Sequence, residues 1–319
     1  MKVLVLVGPT ASGKTEIALH LARILDGEIV SADSRQVYKY LDIGTAKPDK
    51  NQRKSIPHYF VDELDPRDAF NAAIFGTRGR EVLREILSRG KTAIVSGGSG
   101  LYIRSLIDGL FEGPGADPRF RKKMERLVLE DKLQELLDLL KRVDPQTAAT
   151  IDPTKPRRVI RALEVHHATG RPISAHHREM KSPGDIRAFQ YGLRWDRQEL
   201  YRRIELRCEE MIAAGLMSEV EALERMGLNT SVNALNTVGY REAFAYREGA
   251  ISFSEMTRLF KQNSRRYAKR QETWFRADTR IEWIEMNGQK NSGEVAREIE
   301  RRFRDSRHQG SIASHPDLR

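Results

Sequence analysis

The sequence predicts an α/β fold, a parallel sheet carrying a mainly helical insertion. Three observations predict it. Short apolar runs alternate with helical ones through residues 2–97. The first run, "KVLVLV" at 2–7, leads directly into "GPTASGKT" and then into an amphipathic stretch. Near residues 111–118 the punctuation "FEGPGADP" gives way to charged, helix-forming sequence.

The elements follow in order. "KVLVLV" reads as a buried strand. It breaks at Gly8-Pro9 without a small-residue cleavage site, so it is not read as a signal peptide. "TEIALHLARILDG" places Ile17, Leu21, Ile24 and Leu25 at helical spacing, and Gly27 stops it. "EIVSA" at 28–32 is a second strand, and "HYFVDEL" at 58–64 is a weaker one. "NAAIFGTRGREVLREILSRG" is a helix ending at Gly90, and "KTAIVSGGSG" is a buried strand running into glycines. In such a sheet, ligands sit at the C-terminal edge of the strands. Residues 113–185 are read as a helical insertion domain, on the strength of "FRKKMERLVLEDKLQELLDLLKRV" and "PRRVIRALEVHHATG". "AFQYGLRW" at 188–195 returns to the sheet, long helices follow, and "RIEWIEM" at 280–286 is the last strand. The core is then 1–112 plus 186–304, with a polar, disordered tail at 305–319.

Composition narrows the function classes. The chain has 319 residues, a formal charge of +10 and one cysteine, Cys208. A single cysteine excludes an internal disulfide framework and any cysteine-rich zinc module, and it suits a reducing cytoplasm. No apolar run approaches the roughly eighteen residues that span a bilayer, so no membrane partner is expected. The positive charge suits a polyanionic partner or a plainly basic surface, and charge alone does not choose. A monomer is the default expectation.

"GPTASGKT" fits the phosphate-binding pattern G-x-x-x-x-G-K-[ST] in the required strand–loop–helix context. This predicts a P-loop NTPase-like core. Gly8, Pro9, Thr10, Ala11, Ser12 and Gly13 form a loop whose backbone N–H groups close on phosphate oxygens. Lys14 reaches the outer phosphates, and Thr15 offers a hydroxyl to Mg²⁺. The following helix adds its N-terminal dipole. A nucleotide hydrolase also wants an acid after a second apolar strand to help hold the metal. "TAIVS" ends in glycines, while Asp62 and Glu63 follow a weak strand. Asp33 follows "EIVSA", as in small-molecule kinases, where such an acid handles the nucleophile. Asp33 is therefore the candidate general base. A helix N-cap or turn carboxylate is an equally weighted reading of the same residue.

The motifs together resemble a known family. "GPTASGKT", "SADSRQVYKYLDIGTAKP", "PHYFVDELDP", "SGGSGLYIRSL", "DPTKPRRVIRALEV", "TVGYREA" and "RRYAKRQETWFR" occur in the order and spacing of the bacterial tRNA dimethylallyltransferases, the IPP transferase family. The resemblance runs from residue 3 to about 285, and "DSRQVY", "DIGTAKP" and "AKRQETWFR" are its most specific parts. It implies transfer of a dimethylallyl group from dimethylallyl diphosphate to N6 of adenosine 37, in tRNAs reading codons that begin with U. The loop would then hold a prenyl diphosphate. Asp33 matches the family's catalytic acid, and Thr10 matches a residue near the reacting centre. Asp33, Ser34, Arg35 and Gln36 match a tRNA-contacting segment. Ser99 stands where many members carry Thr and keeps the hydroxyl of a tRNA contact. The segment Arg157, Arg158, Val159, Ile160 and Arg161 is implied to touch tRNA, and Arg121 is a further candidate phosphate contact. The target base must leave the anticodon-loop stack, so recognition uses unstacked bases and backbone.

Other charged groups carry two readings each. Arg203 and Arg207 share one helix face at i, i+4, where one of them, taken as Arg207, would reach the diphosphate; an ion-paired surface is the alternative. Arg258 to Arg276 hold seven Lys or Arg against one acid, Glu272, a possible RNA-following face. Phe260, Tyr267 and Trp274 recur every seven residues and read as a core stripe. His58 reads as polar packing, with Tyr59 where the family carries a second His. The pairs His166–His167 and His176–His177 lack acidic partners and are not read as metal sites. The rival functions are a P-loop small-molecule or nucleotide kinase and a non-catalytic RNA-binding module.

Overall fold

The computed structural model describes residues 1–111, 113–179 and 184–309, with side chains as far as residue 305. The chain divides into two units, Met1–Asp108 with Gly184–Arg319, and Gly109–Pro183.

In chain order the first unit holds β1 (Lys2–Val7), α1 (Lys14–Ile24), β2 (Gly27–Ser31), α2 (Lys50–Ser55), β3 (His58–Tyr59), α3 (Ala72–Ser88), β4 (Thr92–Gly97) and α4 (Gly100–Asp108). The second holds α5 (Pro118–Leu129), α6 (Leu133–Val143), α7 (Pro145–Thr150), α8 (Pro156–Thr169) and α9 (Ile173–Glu179). The first then resumes with β5 (Arg187–Trp195), α10 (Arg197–Ala213), α11 (Leu216–Arg225), α12 (Tyr240–Arg247), α13 (Phe253–Arg276), β6 (Ile281–Met286) and α14 (Ser292–Gln309).

The six strands form one sheet in the order β3-β2-β4-β1-β5-β6. Every pairing is parallel. Central β1 registers Leu4 against Ile94 on one side and Phe189 on the other. Its residues from Val3 to Val7 are at most 1% exposed. That is the expected fate of a continuous apolar run in a parallel sheet covered on both faces. Helix α3 begins where Asn71 accepts the N–H groups of Ala73 and Ile74, satisfying donors the first turn would leave orphaned. It buries Phe75, Leu83 and Ile86 completely. The α/β class is as the sequence predicts.

Two elements differ from the sequence reading. The expected strand 58–64 keeps only His58 and Tyr59, paired to Ile29 and Val30. Phe60 and Asp62 adopt φ 61° and 63°, and left-handed residues cannot continue a strand. Pairing resumes only as a single bridge between Tyr38 and Leu64. At the other end, α14 carries helical backbone past the expected boundary at 304 to Gln309. The rest of the expected tail, 310–319, lies outside the described residues.

The second unit has its own core. Met124, Leu136, Leu140, Val159, Ile160, Ala162 and Leu163 pack together. Asp144 caps α7 through the N–H of Thr147 and also accepts the N–H of Ser174.

Candidate active site

The site grows from the turn between β1 and α1. Gly13 opens α1 at φ 92°, and Ala11 takes φ 61° although it carries a side chain. These turns curl the loop around its own amides. Thr10 N–H is fixed by Gln271 Oε1 at 2.8 Å. Gln271 in turn donates to Gly98 O at 3.0 Å, so α13 ties the loop to the end of β4. Lys14 folds back, donating to Pro9 O at 2.5 Å and Ser12 Oγ at 3.4 Å. The Thr15 hydroxyl carries no hydrogen bond to another described residue.

Opposite the loop lies a cleft of about 220 Å³ at the C-terminal ends of β1, β2 and β4. Thr10, Ala11, Lys14, Thr15, Asp33 and Arg207 all line it. Lys14 shows part of its surface to the cleft and is otherwise enclosed by protein. Burial first, and then the Arg207 charge, bring its ammonium down to about 7, against the opposing pull of Asp33. Burial also lowers Arg207, again opposed by Asp33. Neither cation forms an ion pair with a described residue. Two unneutralised cations face one acid across a shared space, which suits a polyanionic ligand.

Asp33 is half-buried. Its Oδ1 accepts the N–H of Arg35 at 2.8 Å, and that of Gln36 at 3.4 Å. This is turn chemistry, while Oδ2 stays unbonded and available. The turn-carboxylate reading of the sequence is therefore met. Tyr267 faces the same cleft, and burial followed by the Asp33 charge pushes its phenol up to about 12.

The remaining walls sort by polarity. Helix α10 presents Ile204, Cys208 and Met211 beside Arg207, and α13 presents Phe260, Ser264, Tyr267 and Gln271. Both stripes follow helical spacing. Thr237 and Val238 add a third side. Gly44 lines the cleft and ends the segment 42–44. Its successive N–H groups grip Glu219, with Asp42 and Ile43 donating to Oε2 at 2.9 and 2.7 Å, and Gly44 to Oε1 at 3.1 Å. The Tyr240 phenol donates to the same carboxylate at 2.5 Å. Gly44 lies so close to Tyr240 that a Cβ would come within 2.6 Å of the ring.

Residues 36–278 match the family model described as IPP transferase. This chain belongs to that family. It is 45% identical to tRNA dimethylallyltransferase 1 of Pelobacter propionicus, over 89% of this chain and 92% of that one. It is 44% identical to the tRNA dimethylallyltransferase of Geobacter metallireducens, over 91% and 94%. Among solved structures, the tRNA isopentenylpyrophosphate transferase of Bacillus halodurans superposes with a TM-score of 0.71 at 35% identity, covering 97% of this chain and 99% of that one. A eukaryotic dimethylallyltransferase crystallised acting on tRNA shares the fold, with a TM-score of 0.74 at 24% identity.

Within this IPP transferase family member, the other sequence candidates fall into different settings. Ser99 Oγ accepts the N–H of Ser34 at 3.1 Å, joining two expected tRNA contacts. Arg35 donates to Asn233 O at 2.7 Å. The Gln36 side chain donates to Thr45 O and Ala46 O and accepts from Ser31, so it braces the cleft wall and keeps one lone pair on Oε1. In the second unit, Val159 and Ile160 turn their side chains into the core. Arg121 meets Glu164 with two hydrogen bonds, at 2.7 and 2.8 Å. Arg161 donates to Glu164 at 2.6 Å and to Pro114 O at 3.0 Å. These two arginines hold a buried carboxylate whose side chain is 1% exposed. Arg157 and Arg158 are exposed, and they are the cations of that segment left open to an RNA.

The stripe at Phe260, Tyr267 and Trp274 is core only at its first member. Phe260 is 3% exposed and Trp274 is 37% exposed. Seven residues fall about 20° short of two full turns, so the stripe drifts around the helix. His58 bonds Ile56 O at 2.7 Å, while Tyr59 joins Glu28 and Arg89 near the start of β2, away from the cleft edge. His167 stacks on Phe120 and His176 on Phe111. Cys208 is 2% exposed and meets Ser264 at 3.5 Å. Sequence reasoning passed over Gln271, Glu219 and Trp195 as site residues. Trp195 and Gln271 meet the phosphate loop and Glu219 meets residues 42–44, each through a contact distant in sequence.

Proposed function

We propose that the chain transfers a dimethylallyl group from dimethylallyl diphosphate to N6 of adenosine 37 of tRNAs reading codons that begin with U. The observation that carries the reading is one cleft in which Lys14, Arg207 and the phosphate loop face Asp33. The adenine amine is a weak nucleophile because its lone pair is delocalised into the ring. As N6 bonds the allylic carbon, the C–O bond breaks and its electron pair leaves on the diphosphate. The N6 proton passes to Asp33 Oδ2. Loop N–H groups, Lys14 and Arg207 stabilise the charge growing on the leaving group. Thr10 borders the reacting centre. Apolar Ile204, Cys208, Met211 and Phe260 offer a surface for the prenyl tail.

A divalent cation fits this donor set only as a companion of the diphosphate. No cluster of three or more His, Cys, Asp or Glu able to hold a metal occurs among the described residues. Thr15 offers an unbonded hydroxyl at the cleft, and Mg²⁺ commonly takes few protein ligands beside substrate phosphates and water. Bound there, Mg²⁺ would offset leaving-group charge. Arg157 and Arg158 supply phosphate contacts to the tRNA, and Ser34 and Ser99 sit beside the base. A cytoplasmic monomer is the working state; no helix among the described residues is long and apolar enough to cross a membrane.

The test incubates the protein with dimethylallyl diphosphate, Mg²⁺ and unmodified tRNA, and in parallel with ATP and candidate acceptors. Prenylated adenosine in tRNA digests is the expected product. ATP-dependent phosphorylation without prenylation would replace the reading with the kinase.

A further inference from the structure

Two side chains outside the main cleft hold the phosphate loop, and one of them, Arg203, borders a second pocket with Gly13, Lys14, Thr15 and Arg207. Trp195 ends β5 and is 8% exposed. Its indole N–H donates to Ser12 O at 3.1 Å. Arg203, on α10, donates from Nε to Ala11 O at 3.0 Å. Its guanidinium carbon lies 4.3 Å from the centre of the Trp195 ring. Arg203 forms no ion pair with a described residue.

A trans peptide is planar, with its N–H pointing opposite to its C=O. Fixing a carbonyl therefore aims the amide on the other side. The carbonyls of Ala11 and Ser12 belong to the peptides that carry the N–H groups of Ser12 and Gly13. A carbonyl turned into the cleft would repel an anion, and here both are bonded by side chains outside the main cleft. Ala11 needs the support most, because φ 61° is a conformation that residues with a Cβ adopt at a cost. The stacked arginine and indole orient each other. The Arg203 charge also polarises the peptide it bonds, strengthening the donor at its far end.

We propose that Trp195 and Arg203 are positioning residues for the donor's diphosphate, a pair that clamps the Ala11 and Ser12 carbonyls outward and so aims the loop amides into the cleft. The proposal rests on the reading that the loop holds the prenyl diphosphate. Arg203 thereby acts on the loop, while Arg207, one turn along, faces the ligand.

The test compares Arg203→Met, Arg203→Lys and Trp195→Phe with the unaltered chain. It measures KM and kcat for dimethylallyl diphosphate, Kd for inorganic diphosphate with Mg²⁺, Kd for tRNA and the melting temperature. Arg203→Met should raise the donor KM and the inorganic-diphosphate Kd together by about tenfold, the scale of one charge-assisted hydrogen bond. Its tRNA Kd should stay within about twofold, since exposed RNA contacts are untouched. Arg203→Lys should recover only part of the loss, because an ammonium cannot stack and bond as a planar guanidinium does. Trp195→Phe keeps an aromatic ring and the arginine but removes the indole donor, and should still weaken diphosphate several-fold. Full recovery by lysine with no effect of Trp195→Phe would reduce Arg203 to a distant charge and overturn the clamp. Losses of diphosphate affinity, tRNA affinity and melting temperature in parallel would mark a general folding role and overturn it too. Failure of the unaltered chain to bind inorganic diphosphate would instead strike the functional reading beneath it.

Discussion

Arg121 and Arg161 in the second unit and Lys14 and Arg207 in the first meet opposite fates. In the second unit, Arg121 and Arg161 converge on Glu164, and their bonds hold its carboxyl down at about 2 although burial alone would raise it. In the first, Lys14 and Arg207 crowd each other and meet no carboxylate in an ion pair. The first arrangement is complete in itself. The second is a standing cost, visible as a lysine brought down to about 7, and an anionic ligand would relieve it. A basic residue destined for a ligand is thus marked by the partner it lacks.

That contrast can be broken or sharpened by substitution. The largest effect belongs to the acid that faces the unpaired cations. Asp33→Asn should lower the transfer rate by about 10³-fold, within the range for a lost general base, while donor Kd changes little. An equal loss of donor binding would assign Asp33 to the loop instead. Arg207→Met should lower kcat/KM for the donor by about 10²-fold, with a melting temperature at or above that of the unaltered chain, because an unpaired, half-buried charge has gone. A drop in melting temperature would show that the residue is structural, like Arg121.

Glu164→Gln is the mirror experiment. It strands two arginines around a neutral amide and should destabilise the chain by about 3 kcal/mol, the usual size for a broken buried pair, with donor affinity unchanged. Denaturant melts read the first outcome and diphosphate titration the second. Acid should act in the same direction. The Glu164 carboxyl is held low in the folded state, so its contribution is present above the ordinary carboxylate range and fades as pH falls toward about 2.

Smaller effects follow at the edges of the comparison. Replacing Arg157 and Arg158 together with Ala should weaken tRNA binding about tenfold and lower its salt slope by about 1.5. An unchanged slope would return them to a solvated face. Donor binding should also decline as pH rises from 7 to 9, because Lys14 must recover a proton to meet the diphosphate, by at most about tenfold per pH unit. Arg207→Met removes one cause of the depression and should flatten that profile.

Much of this was legible in the sequence. The alternation of apolar runs, the phosphate loop and the return strand all have local signals, and the structure has them at nearly the expected boundaries. The short β3 was not legible, because the left-handed turns at Phe60 and Asp62 are made without glycine. Strand order is a tertiary property that no segment carries. Asp33 could be singled out by its place after β2, but whether it turns the chain or faces the cleft needed the free Oδ2. Arg121, Arg157 and Arg161 look alike in sequence. Only packing distinguishes those that hold Glu164 from the one left exposed. Trp195 and Gln271 were hidden for the same reason, since each meets the loop from more than 180 residues away in sequence.

The amides of residues 42–44 close on Glu219 much as the phosphate loop would close on its ligand. Among the described residues, this cradle of amides is filled by the chain's own carboxylate, whereas the phosphate loop is left to an outside anion. An anion meeting residues 42–44 finds their amides already bonded. The built-in carboxylate thereby sets the conformation of residues 42–44 before any substrate arrives.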